Sequence, residues 1–125
     1  MSEEKLAQFA NQKYINLQTF KRDGTAVATP VWFAERGDEL VFYTSADSGK
    51  VKRLRNNPHI RIAVCDARGK LKGEWVEAEA RRLDDADAVK ANRLITEKYG
   101  LIKRVMDFFT KLARSRRATF AIRVH

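Results

Sequence analysis

The chain has 125 residues, of which 44% are hydrophobic and 33% charged, and its formal net charge is +9. This size fits a single domain, residues 1–125, and the apolar content excludes a disordered polypeptide. No apolar run approaches the roughly 20 residues of a membrane-spanning helix, and the acidic first residues lack the apolar part of a signal peptide. The positive charge favours an anionic partner, which leaves a phosphorylated cofactor, nucleic acid or an acidic membrane surface.

Hydrophobic periodicity predicts three antiparallel strands in the first half of the chain. A short helix begins after Ser2, where acidic residues occupy the first turn. Residues 14–20 alternate as a strand, and Asp23-Gly24 is a hairpin signal for a type I′ turn, which needs positive φ at both positions. The second strand is expected at residues 25–34 and the third at residues 40–44, after a turn at Gly37.

The second half alternates between helices and strands. Ser48 begins a short helix that ends at Asn57-Pro58, and strands follow at residues 59–65 and 75–83. Asp84 or Asp85 caps a helix that ends at Gly100, a second helical stretch covers residues 101–114, and a last strand covers 119–124. These elements predict a mainly β protein, a six-stranded antiparallel barrel with helices packed outside it.

Residues 44–58 carry the most chemical information. A strand ends, Ser48 precedes a helix, and Lys50 lies in the first helical turn, where a cation is locally unfavourable. Free N–H groups, the Ser48 hydroxyl and the Lys50 ammonium could converge on a phosphate. An ordinary solvated basic helix with a serine cap is the alternative reading of the same spacing.

Several motifs occur in an order that is typical of one protein family. They are Thr-Pro-Val-Trp-Phe at residues 29–33, Phe-Tyr-Thr at 42–44, Ser-Gly-Lys at 48–50 and Leu-Arg-Asn-Asn-Pro at 54–58. The chain resembles the pyridoxamine 5'-phosphate oxidase-like family of FMN-binding split barrels. It is most similar to the branch of coenzyme F-420 (deazaflavin)-dependent enzymes, which share residues 30–33, 47–51 and the Cys-Asp-Ala-Arg-Gly of residues 65–69.

The single cysteine, Cys65, cannot form an internal disulfide, so a cytoplasmic protein is expected. The resemblance implies a split-barrel homodimer that binds FMN, or alternatively F-420, at the subunit interface and acts as an oxidoreductase on a small-molecule substrate. The phosphate would be held by Ser48 and Lys50. The implied ring-lining residues are Thr29, Pro30, Val31 and Trp32; those by the ribityl chain or the pyrimidine edge are Tyr43, Thr44 and Ser45, with Val51 packed beneath. Trp75 of the partner subunit would complete the site. The sequence offers no obvious general acid, so no catalytic residue is assigned.

The chain also departs from the oxidases of this family. They carry arginine where Ala28 and Gly49 stand here, and their carboxy-terminal substrate motif is absent, so pyridoxamine-phosphate oxidation is not expected. Lys52, Arg53 or Arg61 could replace the missing cations. Two other functions stay open: a carrier or sensor that binds flavin or haem without turnover, and a basic protein that binds nucleic acid or a membrane surface.

The remaining polar residues favour structural roles. His59 and His125 are far apart in the chain and have no acidic neighbours at ligand spacing, so no metal site is expected. Cys65 lies on an alternating strand and is expected to pack as a small apolar residue. Glu77 and Glu79 share one face of a strand, which favours the solvated outer face of the barrel. The amphipathic pattern of residues 101–114 fits a covering helix better than a membrane-surface helix.

Overall fold

The computed structural model describes residues 2–112 and 117–125. It contains three helices and seven strands in these two segments. In chain order they are α1 (Ser2–Ala7), β1 (Tyr14–Phe20), β2 (Ala26–Trp32), β3 (Ala34–Arg36), β4 (Glu39–Ser45), α2 (Gly49–Asn56), β5 (His59–Cys65), β6 (Val76–Arg82), α3 (Asp85–Leu112) and β7 (Arg117–Val124).

The strands form one antiparallel sheet in the order β2-β1-β5-β6-β7-β4-β3. The sheet curls so that β2, at one edge, comes into contact with β4 near the other edge. This half-closed shape is a split barrel, and the predicted mainly β class is confirmed. No helix among the described residues is long and apolar enough to cross a membrane.

The sheet has seven strands where six were predicted, because the expected strand at residues 25–34 is interrupted at Phe33. The Phe33 side chain is completely buried. Its backbone N–H donates to the Tyr99 hydroxyl at 3.0 Å, and its carbonyl oxygen lies 2.8 Å from the same hydroxyl. Since a side chain satisfies both backbone groups, the strand ladder breaks there. As a result β2 pairs with β1 at one edge of the sheet, whereas β3 pairs with β4 at the other edge. The second and third predicted strands are therefore not neighbours in the sheet.

The hairpin at Asp23-Gly24 forms, but its turn type differs from the prediction. Gly24 has a φ of 89°, whereas Asn11 is the one non-glycine residue with positive φ among those described. Lys21 N–H donates to Thr25 O and Gly24 N–H donates to Lys21 O, both at 2.9 Å. This pattern is that of a three-residue loop with one left-handed glycine. The longer loop is stabilised by the Asp23 carboxylate, which accepts a hydrogen bond from Thr25 N–H.

Two apolar clusters hold the sheet together. The concave face buries a core that includes Ile15, Phe42 and Phe120, with the two phenylalanine rings stacked at 5.4 Å. The second cluster lies between β3, β4, β7 and α3 and contains Val41 and Ile95. Each fully buried side chain of this size contributes about 1.5–3 kcal/mol. Because one cluster lies on each side of β4, this strand is packed between the core and α3. The residues that follow β4 therefore extend from a well-packed strand.

The long helix follows the predicted boundaries closely. Asp84 accepts a hydrogen bond from Asp87 N–H at 2.9 Å and so caps α3, as expected. Gly100 is non-helical, with φ 57° and ψ −128°, which matches the predicted break there. The helix then continues to Leu112. The side chains of residues 101–116 lie outside the described part of the chain, so the expected packing role of that amphipathic stretch stays a prediction.

Candidate functional site

A cleft of about 330 Å³ opens where the ends of β2 and β4 approach the start of α2. It collects residues from five separate segments of the chain. They are Tyr14, Pro30, Val31, Trp32, Tyr43, Thr44, Lys50 and Ala67.

One wall of the cleft is an aromatic layer built around Trp32. The ring of Trp32 stacks on Tyr99 of α3, with centroids 4.7 Å apart and an angle of 12° between the planes. Tyr14 lies directly opposite Trp32 in the β1–β2 register. Because the Tyr99 hydroxyl is tied to the backbone of Phe33, the break between β2 and β3 also fixes the orientation of Trp32. The wall is therefore held by contacts within the chain itself.

The opposite end of the cleft is the amino terminus of α2. Ser48 is the cap residue with extended backbone angles, yet its side chain makes no capping hydrogen bond to the helix, and the first turn has no acidic residue. The Ser48 hydroxyl instead accepts a hydrogen bond from Thr44 at 3.3 Å. Ser48 is therefore the N-cap residue of α2, as predicted, but its hydroxyl does not bind the helix backbone. Among the described residues, no side-chain hydrogen bond caps the first N–H groups of the helix, which is the arrangement that attracts anions.

Lys50 places its ammonium group at this end of the cleft. Burial lowers the pKa of Lys50, and the positive charge of Arg53 lowers it further. The lysine is half-buried and lies near a second cation. Among the residues that the structure describes, no carboxylate forms an ion pair with Lys50 to offset this. An anion bound here would relieve both penalties.

Arg53 occupies the space next to Gly49. A Cβ atom at Gly49 would lie 2.6 Å from Nη1 of Arg53, so any larger residue there would displace the guanidinium group. The Arg53 Nε donates to the buried Thr19 hydroxyl at 2.6 Å, which holds the side chain along α2. Of the three suggested replacement cations, Lys52 is exposed and Arg61 is paired with Glu77 on the sheet surface. Arg53 is therefore the cation nearest to the place of the missing arginine.

Six of the eleven site residues expected from the sequence line the cleft: Pro30, Val31, Trp32, Tyr43, Thr44 and Lys50. Ser48 lies beside them through its bond to Thr44. The other four are Thr29, Ser45, Val51 and Trp75. Of these, Thr29 has a buried hydroxyl without a hydrogen-bond partner among the described residues, and Ser45 is exposed at the end of β4. Val51 packs into the core beneath α2, and Trp75 is half-buried just before β6, outside the cleft wall.

Sequence reasoning missed Tyr14 and Ala67. Ala67 is presented by a tight turn in which the Asp66 carboxylate accepts hydrogen bonds from Arg68 N–H at 2.9 Å and Lys70 N–H at 3.0 Å. These backbone hydrogen bonds lower the pKa of Asp66. Gly69 has a φ of 90°. The Cys-Asp-Ala-Arg-Gly motif predicts this turn, because Asp and Gly at these positions are typical of tight turns. This turn places Ala67 at the cleft.

Residues outside the cleft have the structural roles that their sequence positions favour. Cys65 is only 3% exposed, and burial raises the pKa of its thiol, so packing as an apolar residue is confirmed. His59 stacks on Phe20 and approaches Glu77, with 2.6 Å between His59 Nε2 and the carboxylate. Glu79 is exposed on the same strand, as expected.

The fold and the cleft define the split-barrel class of proteins. The family model of pyridoxamine 5'-phosphate oxidase matches residues 1–125, so the chain belongs to this family. None of the curated proteins matches the chain.

Several solved structures share the fold at low sequence identity. A conserved hypothetical protein from Mycobacterium tuberculosis has a TM-score of 0.73 and 22% identity, covering 100% of this chain and 81% of that one. HutZ, a heme storage protein from Vibrio cholerae, has a TM-score of 0.72 and 15% identity, covering 98% and 89%. An F420 reductase has a TM-score of 0.60 and 20% identity, covering 98% and 92%.

Proposed function

We propose that this chain is an oxidoreductase that binds FMN, or alternatively the deazaflavin F-420, in the cleft between β2, β4 and α2. The observation that carries the proposal is the uncapped amino terminus of α2, where Lys50 and Arg53 add two cations without a paired carboxylate among the described residues. A phosphate group matches this site in charge and in its number of acceptor oxygens. Family membership over residues 1–125 supports the same cofactor class.

The cleft residues divide into two groups with different tasks. The phosphate would be bound by Lys50, the first N–H groups of α2 and the Ser48 hydroxyl. Arg53 would lie behind these groups. Residues 29–32 and Tyr43 would orient the ring, and the unpaired hydroxyl of Thr29 is a polar group that a ring edge could satisfy. When bound, a flavin or deazaflavin supplies hydride transfer to or from a small substrate. The protein contributes the position of the ring and the exclusion of water from one of its faces.

The homodimer remains part of this proposal. Trp75 is half-buried and lies outside the cleft of its own subunit, which is compatible with a role in the site of a neighbouring subunit. Mass determination in solution tests the dimer directly. A cofactor affinity that falls with protein dilution would place part of the site on the second subunit.

A carrier that binds haem without turnover is the second candidate, and the fold shared with HutZ favours it. Histidine is a common axial ligand of haem iron. Neither histidine of this chain lines the cleft, since His59 lies on the sheet surface with Glu77 and His125 follows the end of β7. The distribution of cations and the absence of histidine from the cleft wall therefore favour a phosphorylated flavin.

The test is an equilibrium titration of the apoprotein with FMN and, separately, with F-420, followed by fluorescence. Saturable binding of one of them is expected. Lys50→Ala should weaken that binding by about 1.5–3 kcal/mol, or roughly 10- to 150-fold, because a charge-assisted contact to the phosphate is lost. Lys52→Ala, which removes an exposed lysine two residues away, is the matched control and should change affinity less than about twofold.

Equal affinities of the wild type and Lys50→Ala would overturn the assigned phosphate anchor. Binding of neither cofactor by the folded protein would overturn the proposed function and direct attention to the basic surface. A cofactor that binds but does not cycle with any reductant or acceptor would identify a carrier instead of an enzyme.

A further inference from the structure

The side chain of Arg53 is half-buried and folds back toward the start of α2. Its Nη1 atom would lie 2.6 Å from a Cβ atom at Gly49, which is the first residue of the helix. The charge of Arg53 also lowers the pKa of Lys50, so the two cations lie at the same end of α2. Because the amino terminus of a helix is itself partly positive, this position is unfavourable for a second cation unless an anion lies beside it.

The Thr19 hydroxyl holds the guanidinium group in this unfavourable position. Thr19 is completely buried on β1, and its hydroxyl accepts a hydrogen bond of 2.6 Å from Arg53 Nε. The same hydroxyl donates weakly to the carbonyl oxygen of Val27 on β2, at 3.5 Å. Its hydrogen is therefore directed to β2, which leaves a lone pair for Arg53. The sheet thus fixes the hydroxyl, and the hydroxyl fixes the guanidinium group.

The charge of Arg53 is held without being neutralised. Thr19 is a neutral partner, and no carboxylate forms an ion pair with Arg53 in the described part of the chain. Gly49 supplies the necessary space, because any side chain there would meet the guanidinium group. The guanidinium group therefore fills, from residue 53, the space that a side chain of residue 49 would take.

We propose that Thr19 is a positioning residue, which holds Arg53 so that its charge acts together with Lys50 on the cofactor phosphate. The link to the phosphate rests on the proposed function. The placement of the guanidinium group rests only on the hydrogen bond to Thr19 and on the open space at Gly49.

The experiment compares FMN with riboflavin, which has the same ring and ribityl chain but no phosphate. Both are titrated into the full-length protein and followed by fluorescence. Thr19→Val removes the hydroxyl and keeps the shape of the side chain, Thr19→Ser keeps the hydroxyl, and Arg53→Gln removes the cation. Thr25→Val, which removes an exposed hydroxyl from the loop before β2, is the matched control. If F-420 is the cofactor that binds, the matching pair is F-420 and its phosphate-free ribityl deazaflavin.

We expect Thr19→Val to weaken FMN binding by about fivefold, as Arg53→Gln does, and to change riboflavin binding less than about twofold. Combining Thr19→Val with Arg53→Gln should weaken FMN binding no further than either substitution alone, because both remove the same charge from the same place. Thr19→Ser and Thr25→Val should stay within about twofold of the wild type.

Two binding results would overturn the proposal. Equal losses for FMN and riboflavin in Thr19→Val would mean that the hydroxyl supports the fold and not the phosphate site. Additive losses in the double variant would mean that Thr19 acts independently of Arg53.

A second measurement needs no cofactor. The pKa of Lys50 in the apoprotein, followed through the NMR shift of its Cε atom, should rise in both Thr19→Val and Arg53→Gln, because the neighbouring cation is displaced or removed. It should not change in Thr19→Ser. An unchanged pKa in Thr19→Val would overturn the positioning role, whether or not a cofactor binds. If FMN and F-420 both fail to bind while the pKa rises as expected, the proposed function fails and the placement of Arg53 by Thr19 is supported.

Discussion

The cleft at Lys50 and a second cavity, which Lys98 lines, share the wall formed by Tyr14 and Trp32. Burial lowers the pKa of both lysines. Their surroundings differ in charge, since Arg53 adds to the positive field at Lys50, whereas Glu35 reduces it at Lys98. The cleft also has the free amino terminus of a helix, while the Lys98 ammonium group lies over the Phe33 ring.

This difference favours the cleft as the anion site. A helix terminus with two cations matches a group with two negative charges and several acceptor oxygens, such as a phosphate monoester. The two spaces are adjacent because one residue, Tyr99, fixes both the break after β2 and the stack on Trp32.

Removing the Tyr99 hydroxyl should have the largest effect on the shared wall. Tyr99→Phe leaves Phe33 N–H without its acceptor and removes the one hydroxyl hydrogen that the carbonyl oxygens of Phe33 and Lys13 share. We expect the free energy of unfolding to fall by about 1–3 kcal/mol, measured by urea denaturation. Tyr14→Phe in the same wall is the control and should stay within about 0.5 kcal/mol. Equal stability of the two variants would show that the hydroxyl does not hold the wall.

The same hydroxyl should make stability depend on alkaline pH. Burial raises the pKa of Tyr99 to about 12 in the folded protein, from an ordinary value of 10.0. The protonated phenol therefore stabilises the fold fully below pH 10, and this contribution is lost as pH rises toward 12. The stability difference between wild type and Tyr99→Phe should shrink over that interval. A constant difference from pH 9 to 11.5 would contradict this assignment.

Arg53→Gln tests whether the cleft needs its second cation. We expect FMN or F-420 affinity to fall by about 1 kcal/mol, or roughly fivefold, less than for Lys50→Ala, because Arg53 acts from behind the binding surface. Arg55→Gln, which removes an exposed arginine from the same helix, should have no measurable effect. An effect of Arg53→Gln as large as that of Lys50→Ala would mean that the guanidinium group contacts the phosphate directly.

The smallest effect concerns the burial of Lys98. Lys98→Met replaces a poorly solvated ammonium with an apolar side chain of similar length, so the free energy of unfolding should rise by a few tenths to about 1 kcal/mol. Lys90→Met, at an exposed position of the same helix, is the control and should leave stability within about 0.5 kcal/mol. Lower stability of Lys98→Met would show that the contact with the Phe33 ring outweighs the cost of burial.

Local patterns and the family resemblance predicted different parts of the candidate site. A strand end, a helix start and a lysine in close succession indicated Ser48 and Lys50, whereas the resemblance implied Tyr43 and residues 29–32. The motif at residues 30–32 also proved to line the cleft. Tyr14, Ala67 and the position of Arg53 could not be derived in this way. Tyr14 and Ala67 reach the cleft through strand register and through a loop between β5 and β6.

The sequence by itself determined the strand and helix order, the mainly β class and the cationic start of α2, because alternation, capping residues and turn residues act within a few positions of each other. Only the tertiary structure decided that β2 and β3 separate at Phe33. This break depends on Tyr99, which is 66 residues from Phe33 in the chain. A hydrogen bond over that separation has no local signature, since it forms only when α3 packs onto the curled sheet.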